Sequence, residues 1–189
     1  MKVNDLCEIL MEDPIIAGIK DDKGLQSVIS SNRKVVFVLY GDILNITEIV
    51  QRLKLNNKIV FINVDLIDGF SQKEIIVQYL KKYSQLDGIL SAKASMIKTA
   101  KSEGLLAIHR SFLIDSFAFH NLDRQVDISH PDFIEILPGC IPTVISWIIE
   151  KITIPIIAGG LVCTKEDVIA ALSAGALAIS STNPEVWNM

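Results

Sequence analysis

Eight short apolar runs, each of strand length, recur along the chain and dominate its pattern. They are rich in Val and Ile, and most lack the alternation of apolar and polar residues that marks a strand with one wet face. The runs are PIIAGI (14–19), VVFVLY (35–40), IVFINV (59–64), DGILS (87–91), LLAIH (105–109), DFIEIL (132–137), IPIIA (154–158) and ALAIS (176–180). This pattern is typical of parallel strands that are buried on both faces.

Segments with helical character separate these runs. They span residues 22–32, 45–55, 71–83, 95–103, 116–127, 141–151 and 165–174. Some carry end signals, such as Ser71 three residues before Glu74, which predicts a capping box. Alternating strands and helices predict a parallel sheet with right-handed crossovers, and eight strands are enough to close it. We therefore predict an α/β fold, a compact (β/α)8 TIM barrel, with an open doubly wound sheet as the alternative.

The two ends of the chain predict additions to this barrel. Residues 3–12 predict an extra helix before the first strand, and the last seven residues, NPEVWNM, leave room only for a short last helix. No linker-like segment divides the 189 residues, so we expect a single TIM-barrel domain over residues 1–189.

Composition limits the compartment and the partners. Mean hydropathy is high, at +0.40, but charged, Pro and Gly residues interrupt every apolar stretch well before the roughly 18 residues of a membrane helix. The N-terminus carries acidic residues where a signal peptide would be basic, and the three cysteines are far apart. We expect a cytoplasmic protein that does not enter the membrane. A net charge of −4 gives no general attraction to nucleic acid, so an RNA partner would need a local basic patch.

In a barrel of this kind the site forms at the carboxyl ends of the strands. Glu135 is notable there because it lies inside FIEIL, where an unpaired charge would cost several kcal/mol. Lys93 and Arg110, at neighbouring strands, are the candidate partners. Of His109 and Arg110 only one can face the lumen, and we favour Arg110. The pair is either a structural ion pair or a ligand contact.

Other polar residues give weaker signals. Asp65 and Asp68 follow the third run and are either a pair of carboxylates for acid–base or metal chemistry, or a turn with an Asp cap. His109, His120 and His130 lack the spacing of metal ligands. We predict no metal site, no catalytic residue and no cofactor.

The seventh and eighth runs end in residues that suit a phosphate. Gly159 and Gly160 let backbone N–H groups approach an anion closely, and Ser180 and Ser181 follow on the next strand. Many barrels bind phosphate between the loops after these two strands and a short extra helix. Alternatively, the two glycines form only a tight turn.

At these motifs the sequence resembles the glycerol-uptake operon antiterminators, a family of glycerol-3-phosphate-responsive regulators. The matching stretches are YGDILNI (40–46), VDLIDG (64–69), GILSAKASMIKTAK (88–101), HRSFLIDS (109–116), PDFIEILPGCIP (131–142), IPIIAGGLVCTKEDVIAALSAGALAIS (154–180) and STNPEVW (181–187). They run in order through most of the chain from about residue 12.

The resemblance implies a barrel that binds glycerol 3-phosphate and acts on the leader mRNA of glycerol-utilisation genes to prevent termination. It implies that the phosphate ligands are Gly159, Gly160, Ser180 and Ser181, and that the rest of the pocket is Lys93, Arg110, Glu135 and Asp65. The family pattern usually has a basic residue at Cys163 and a His at Asn63. Because Cys163 lacks that charge, it is left out of the predicted site.

The resemblance leaves the RNA-binding surface open. The basic pairs Lys81–Lys82 and Lys98–Lys101 are the candidate patches, and a homodimer would concentrate either of them. The alternative to a regulator is an enzyme, an aldolase or isomerase acting on a small phosphorylated substrate. In that case Lys93 would be a Schiff-base amine, or Asp65 a proton acceptor. A purely structural barrel is a third reading.

Overall fold

The computed structural model describes residues 1–71 and 73–189, and its strands form a closed parallel barrel. The strands are β1 (Ile15–Ile19), β2 (Val35–Val38), β3 (Ile59–Asn63), β4 (Gly88–Ser91), β5 (Leu106–Phe112), β6 (Phe133–Leu137), β7 (Ile156–Gly159) and β8 (Ala178–Ser181). Each pairs with the next in sequence, and β1 pairs with β8, Ile16 opposite Ser180. The (β/α)8 barrel is therefore confirmed, and the open sheet is excluded.

Helices follow the strands as the alternation predicts. They are α1 (Val3–Glu12), α2 (Asp22–Ile29), α3 (Ile46–Leu55), α4 (Ile75–Tyr83), α5 (Ala94–Ser102), α6 (Ser116–Ser129), α7 (Pro142–Ile149), α8 (Lys165–Ser173) and α9 (Pro184–Trp187). The extra first helix and the short last helix are both confirmed. Among the described residues, none of these helices combines the length and the apolar character needed to cross a bilayer.

The prediction that the fourth helix starts at Ser71 is wrong. It begins at Ile75, and the side chain of Glu74, just before it, makes no capping hydrogen bond. The backbone amide of Ile76 instead bonds the carbonyl of Lys73, so the chain forms a turn before the helix. The predicted capping box also spans Gln72, which lies outside the described residues.

The fifth strand is longer than predicted and ends at Phe112 rather than His109. It stays paired with β6 through Phe112 opposite Leu137, and this register sets Arg110 beside Glu135. Arg110 is therefore part of the barrel wall and not of the loop above it.

Helix α1 packs against the amino-terminal end of the barrel. Its Leu6 and Leu10 are fully buried and belong to the same cluster as the lumen residues Ile16, Phe37 and Phe61. The other members include the first residues of several strands (Val35, Leu106, Phe133 and Ala178). The helix thus closes this end with apolar side chains, and polar groups of the lumen collect at the opposite, carboxyl-terminal rim.

Candidate functional site

A cavity of about 280 Å³ opens at the carboxyl-terminal rim, and we call it the rim cavity. It is lined by Gly18, Phe37, Leu39, Arg110, Glu135, Gly160, Leu161, Val162, Cys163, Ser180, Ser181, Thr182 and Asn183. Five of the eight predicted site residues are among them (Arg110, Glu135, Gly160, Ser180 and Ser181). Its volume lies just below the usual range of about 300–1,000 Å³ for small-molecule sites, which suits a small metabolite.

Glu135 is the most buried charged group of the rim cavity, with 2% of its surface exposed. The Ser180 hydroxyl donates to Oε1 at 2.6 Å, and Arg110 Nε lies 2.9 Å from Oε2. That second approach is an ion pair without hydrogen-bond alignment, so Oε2 and Nε have no hydrogen-bond partner among the described residues. Burial raises the pKa of Glu135, while the Arg110 charge and the Ser180 bond act to lower it.

The partner that the sequence left open for Glu135 is therefore Arg110. Arg110 faces the lumen, as predicted, and period-two geometry then turns His109 away from it. His109 is buried on the other face, with Nδ1 3.1 Å from the Ser129 hydroxyl of α6. Burial lowers the pKa of His109, so it packs as a neutral ring outside the barrel lumen.

Gly159 gives the Glu135 carboxylate its space. A Cβ at Gly159 would overlap the Ser180 hydroxyl and lie 2.7 Å from Oε1 of Glu135. The residue does not itself line the rim cavity. A small residue at this point allows the hydrogen bond between Ser180 and Glu135 to form, which is a role that spacing in the sequence did not reveal.

Gly139, which the sequence analysis did not single out, holds the neighbouring loop against this strand end. Its amide donates to the carbonyls of Gly159 at 2.6 Å and Gly160 at 3.0 Å. A Cβ there would lie 2.6 Å from the backbone nitrogen of Gly159. The loops after β6 and β7 therefore share one close backbone contact.

The turn after β7 lines the rim cavity with Gly160, Leu161 and Val162. Gly160 and Leu161 both have left-handed backbone conformations, with φ of 68° and 56°. Within the described parts of the chain, no hydrogen bond is formed by the amides of Gly160, Leu161 and Val162. Successive free amides in a turn can form a concave anion-binding surface. We call these three residues the amide cradle.

Backbone amides at the start of α8 are already hydrogen-bonded to side chains of the same turn. Thr164 caps the helix, as its sequence position predicts, by accepting from the amide of Asp167 at 3.1 Å. The Asp167 carboxylate in turn accepts from the amides of Cys163 at 3.0 Å and Thr164 at 2.9 Å, and these bonds lower its pKa. An anion in the rim cavity would therefore meet the amide cradle and not the start of this helix.

Ser181 ties the last loop to the cradle. Its hydroxyl donates to the Val162 carbonyl at 3.2 Å and accepts from the Asn183 amide at 3.2 Å. The Trp187 indole donates to the Ser181 carbonyl at 2.7 Å, which fixes α9 beneath the loop. Pro184 is the first residue of that helix, and Asn183 caps it. The Ser181 side chain thus supports the shape of the site.

The structure places Asp65 and Lys93 elsewhere on the rim. Asp65 accepts from the Ser91 hydroxyl at 2.9 Å and the Ala92 amide at 2.7 Å, so it holds the loop after β4, as an Asp cap would. Lys93 directly precedes α5. Neither residue lines the rim cavity, whereas Cys163 does. Over residues 1–71 and 73–189, no three His, Cys, Asp or Glu side chains are grouped as metal ligands.

Comparison with known proteins identifies a relative in sequence and similar solved structures. The chain is 50% identical over 184 residues to the uncharacterised protein YgcP of Escherichia coli K12, covering 97% of this chain and 96% of that protein. Its structure matches the glycerol uptake operon antiterminator regulatory protein of Listeria monocytogenes with a TM-score of 0.90 and 30% identity, over 93% and 95% of the two chains. A glycerol uptake operon antiterminator-related protein of Thermotoga maritima matches with a TM-score of 0.82 and 32% identity, over 93% and 98%.

More distant structures share the fold alone. The orotidine 5'-phosphate decarboxylase of Pyrococcus horikoshii, for example, matches with a TM-score of 0.69 at 16% identity over 93% of this chain and 91% of that one. The family model described as the glycerol-3-phosphate responsive antiterminator matches residues 15–187, from the first barrel strand to the last helix. The chain belongs to the glycerol-3-phosphate-responsive antiterminator family.

Proposed function

We propose that the protein binds glycerol 3-phosphate in the rim cavity and, in response, acts on the leader mRNA of glycerol-utilisation genes to prevent termination. The observation that carries this proposal is the amide cradle, Gly160 to Val162, set beside the buried pair of Arg110 and Glu135. The cradle suits a phosphate, and the pair suits a polar tail. Family membership supplies the link to antitermination.

Within the rim cavity the proposal assigns phosphate binding to backbone atoms. The hydroxyls of Ser180 and Ser181 already donate to Glu135 and to the Val162 carbonyl. They would therefore shape the site while the amides of the cradle contact the phosphate. A bound phosphate would satisfy three donors that have no partner in the described chain.

For the RNA surface we favour the patch at Lys81 and Lys82, at the end of α4. Both side chains are exposed, and Lys82 lies 5.1 Å from the ring centre of Tyr83, itself 57% exposed. Exposed aromatic and cationic side chains together can stack on bases and neutralise phosphates. In the other candidate patch, the ammonium of Lys101 forms an ion pair with Asp132, which reduces its attraction for RNA.

The enzyme alternative has less support. Lys93 and Asp65, the residues it needs, do not line the rim cavity, and the Asp65 carboxylate is already bonded to Ser91 and Ala92. A regulator acting on transcripts would work in the cytoplasm as a single barrel domain, and pairing into a homodimer would double its basic patch.

Leader-RNA affinity with and without glycerol 3-phosphate, measured across a salt series, tests the proposed function. We expect the ligand to change the affinity, because it can shift the protein only by binding two states unequally. Replacing Lys81 and Lys82 by Ala should weaken RNA binding and flatten its salt dependence, whereas Lys98→Ala, at an exposed site in the other candidate patch, should change neither. An affinity that glycerol 3-phosphate leaves unchanged at every salt concentration would overturn the proposal.

A further inference from the structure

The charged side chains of the rim cavity cancel each other. Its lining contains two of them, Arg110 and Glu135, and their nearest atoms are 2.9 Å apart. The remaining lining is apolar, hydroxyl-bearing, thiol-bearing or amide. A ligand anion therefore meets attraction from backbone amides at one place, the amide cradle, and no net positive side-chain charge anywhere else in the lining. The cavity suits one anionic group and not two.

The Glu135 carboxyl group can only accept hydrogen bonds in this setting. A proton on Oε2 would face the N–H of Arg110, and a proton on Oε1 would compete with the Ser180 hydroxyl, which donates there. Oε2 is completely buried, and within the described chain it accepts no hydrogen bond. A ligand in the rim cavity therefore meets a carboxylate whose charge is balanced by Arg110 and which has no proton to donate.

Combining these two points, we propose that Glu135 is the specificity-determining residue of the rim cavity. It selects a phosphate monoester whose tail is uncharged. It excludes three-carbon phosphates whose tail ends in a carboxylate. This inference rests on the proposed function, because it takes the amide cradle as the phosphate position.

The physical basis of the exclusion is the pairing of charges. A ligand carboxylate would add a negative charge beside Glu135, whose own charge Arg110 already neutralises. A hydroxyl group on the tail carries no charge and avoids this repulsion. Juxtaposed like charges discriminate strongly between ligands in general.

Calorimetric titration of the full-length protein with three ligands tests the inference. The ligands are glycerol 3-phosphate, 3-phosphoglycerate, which has a carboxylate in its tail, and inorganic phosphate, which has no tail. We expect glycerol 3-phosphate to bind about 100-fold more tightly than 3-phosphoglycerate, and more tightly than inorganic phosphate. In Glu135→Gln, the preference over 3-phosphoglycerate should fall below about tenfold, because the amide is neutral and can donate. Glu150→Gln, at an exposed site after α7, is the control and should keep the full preference.

The outcomes separate the two proposals. If wild-type protein binds none of the three ligands, the proposed function is wrong and this inference falls with it. If it binds glycerol 3-phosphate but binds 3-phosphoglycerate or inorganic phosphate within about threefold, the role of Glu135 is refuted and the proposed function stands. The same holds if Glu135→Gln keeps the wild-type preference. Should Glu135→Gln fail to fold, as judged by circular dichroism, the wild-type ranking still decides.

Discussion

Gly159→Ala should disturb the rim cavity although Gly159 does not itself line it. The added methyl carbon would overlap the Ser180 hydroxyl and lie 2.7 Å from Oε1 of Glu135, closer than real Cβ atoms approach their neighbours. The backbone of Gly159 is not left-handed, so the substitution introduces no backbone strain of its own. Its cost comes from the two side chains that must move.

The magnitude follows from what those side chains lose. Displacing Ser180 removes a 2.6 Å hydrogen bond to a carboxylate that is 2% exposed, and such bonds to charged groups contribute about 1.5–3 kcal/mol. Forcing an extra methyl into a packed site costs about 1–3 kcal/mol more. We expect the free energy of unfolding to fall by about 3 kcal/mol, a factor of roughly 100 in the unfolding equilibrium constant.

Urea unfolding followed by the fluorescence of Trp147 and Trp187 measures this loss. Gly24→Ala is the matched control. Its added Cβ would sit 3.4 Å from Ile19 and from Oδ1 of the capping Asp21, in the first turn of α2, where Ala is favoured over Gly by up to about 1 kcal/mol. The same chemical change should therefore stabilise the protein at Gly24 and destabilise it at Gly159.

Measuring the same substitution in protein that carries Ser180→Ala tests whether Ser180 causes the loss. If the clash with Ser180 is the cause, Gly159→Ala should cost at least about 1 kcal/mol less in protein that already carries Ser180→Ala, since contacting residues are not additive. An equal loss in both backgrounds, or a Gly159→Ala protein within about 0.5 kcal/mol of wild type, would show that Gly159 does not make space for the Ser180–Glu135 bond.

Two further predictions concern the residues around the site. Burial lowers the pKa of His109 below its ordinary 6.5, so below pH 6.5 the unfolded chain binds a proton more readily than the folded chain does. The free energy of unfolding should therefore be highest above pH 6.5 and fall as the pH drops through that value. His109→Gln should flatten this slope in urea midpoints measured from pH 7.5 to 5. Trp187→Phe removes the indole donor to the Ser181 carbonyl and should lower the free energy of unfolding by about 1 kcal/mol. The expected result is a lower thermal midpoint together with weaker glycerol 3-phosphate binding. An unchanged midpoint would mean that α9 is held by packing alone.

Local patterns were sufficient to predict the barrel. Runs such as residues 35–40 and 59–64 lack alternation because both faces of their strands are covered, and that signal depends on each run by itself. The start of α4 was mispredicted because Ser71 and Glu74 have the spacing of a capping box while the chain forms a turn before Ile75. A capping pattern alone does not decide where a helix begins.

The site was predictable only in part, because the missing information is the arrangement between strands. The pairing of Arg110 with Glu135 needs the register of β5 against β6, and the role of Gly159 needs the distance to Ser180 on the next strand. Asp65 and Lys93 belong to the same rim by position, but they follow β3 and β4, whereas the rim cavity is lined mainly from β5 to β8 and from β1 and β2. Rim membership does not fix which side of the ring a residue occupies.

Because α1 packs across its amino-terminal end, the described barrel is open to small molecules at its carboxyl-terminal rim. With Leu6 and Leu10 sealed against the lumen core, the amino-terminal end offers no route for a small molecule through that apolar layer. A ligand in the rim cavity would therefore arrive and leave past the loops that follow the strands. A macromolecule seated over those loops would slow ligand exchange in both directions, so the lifetime of the ligand and the lifetime of the complex would be linked through geometry alone.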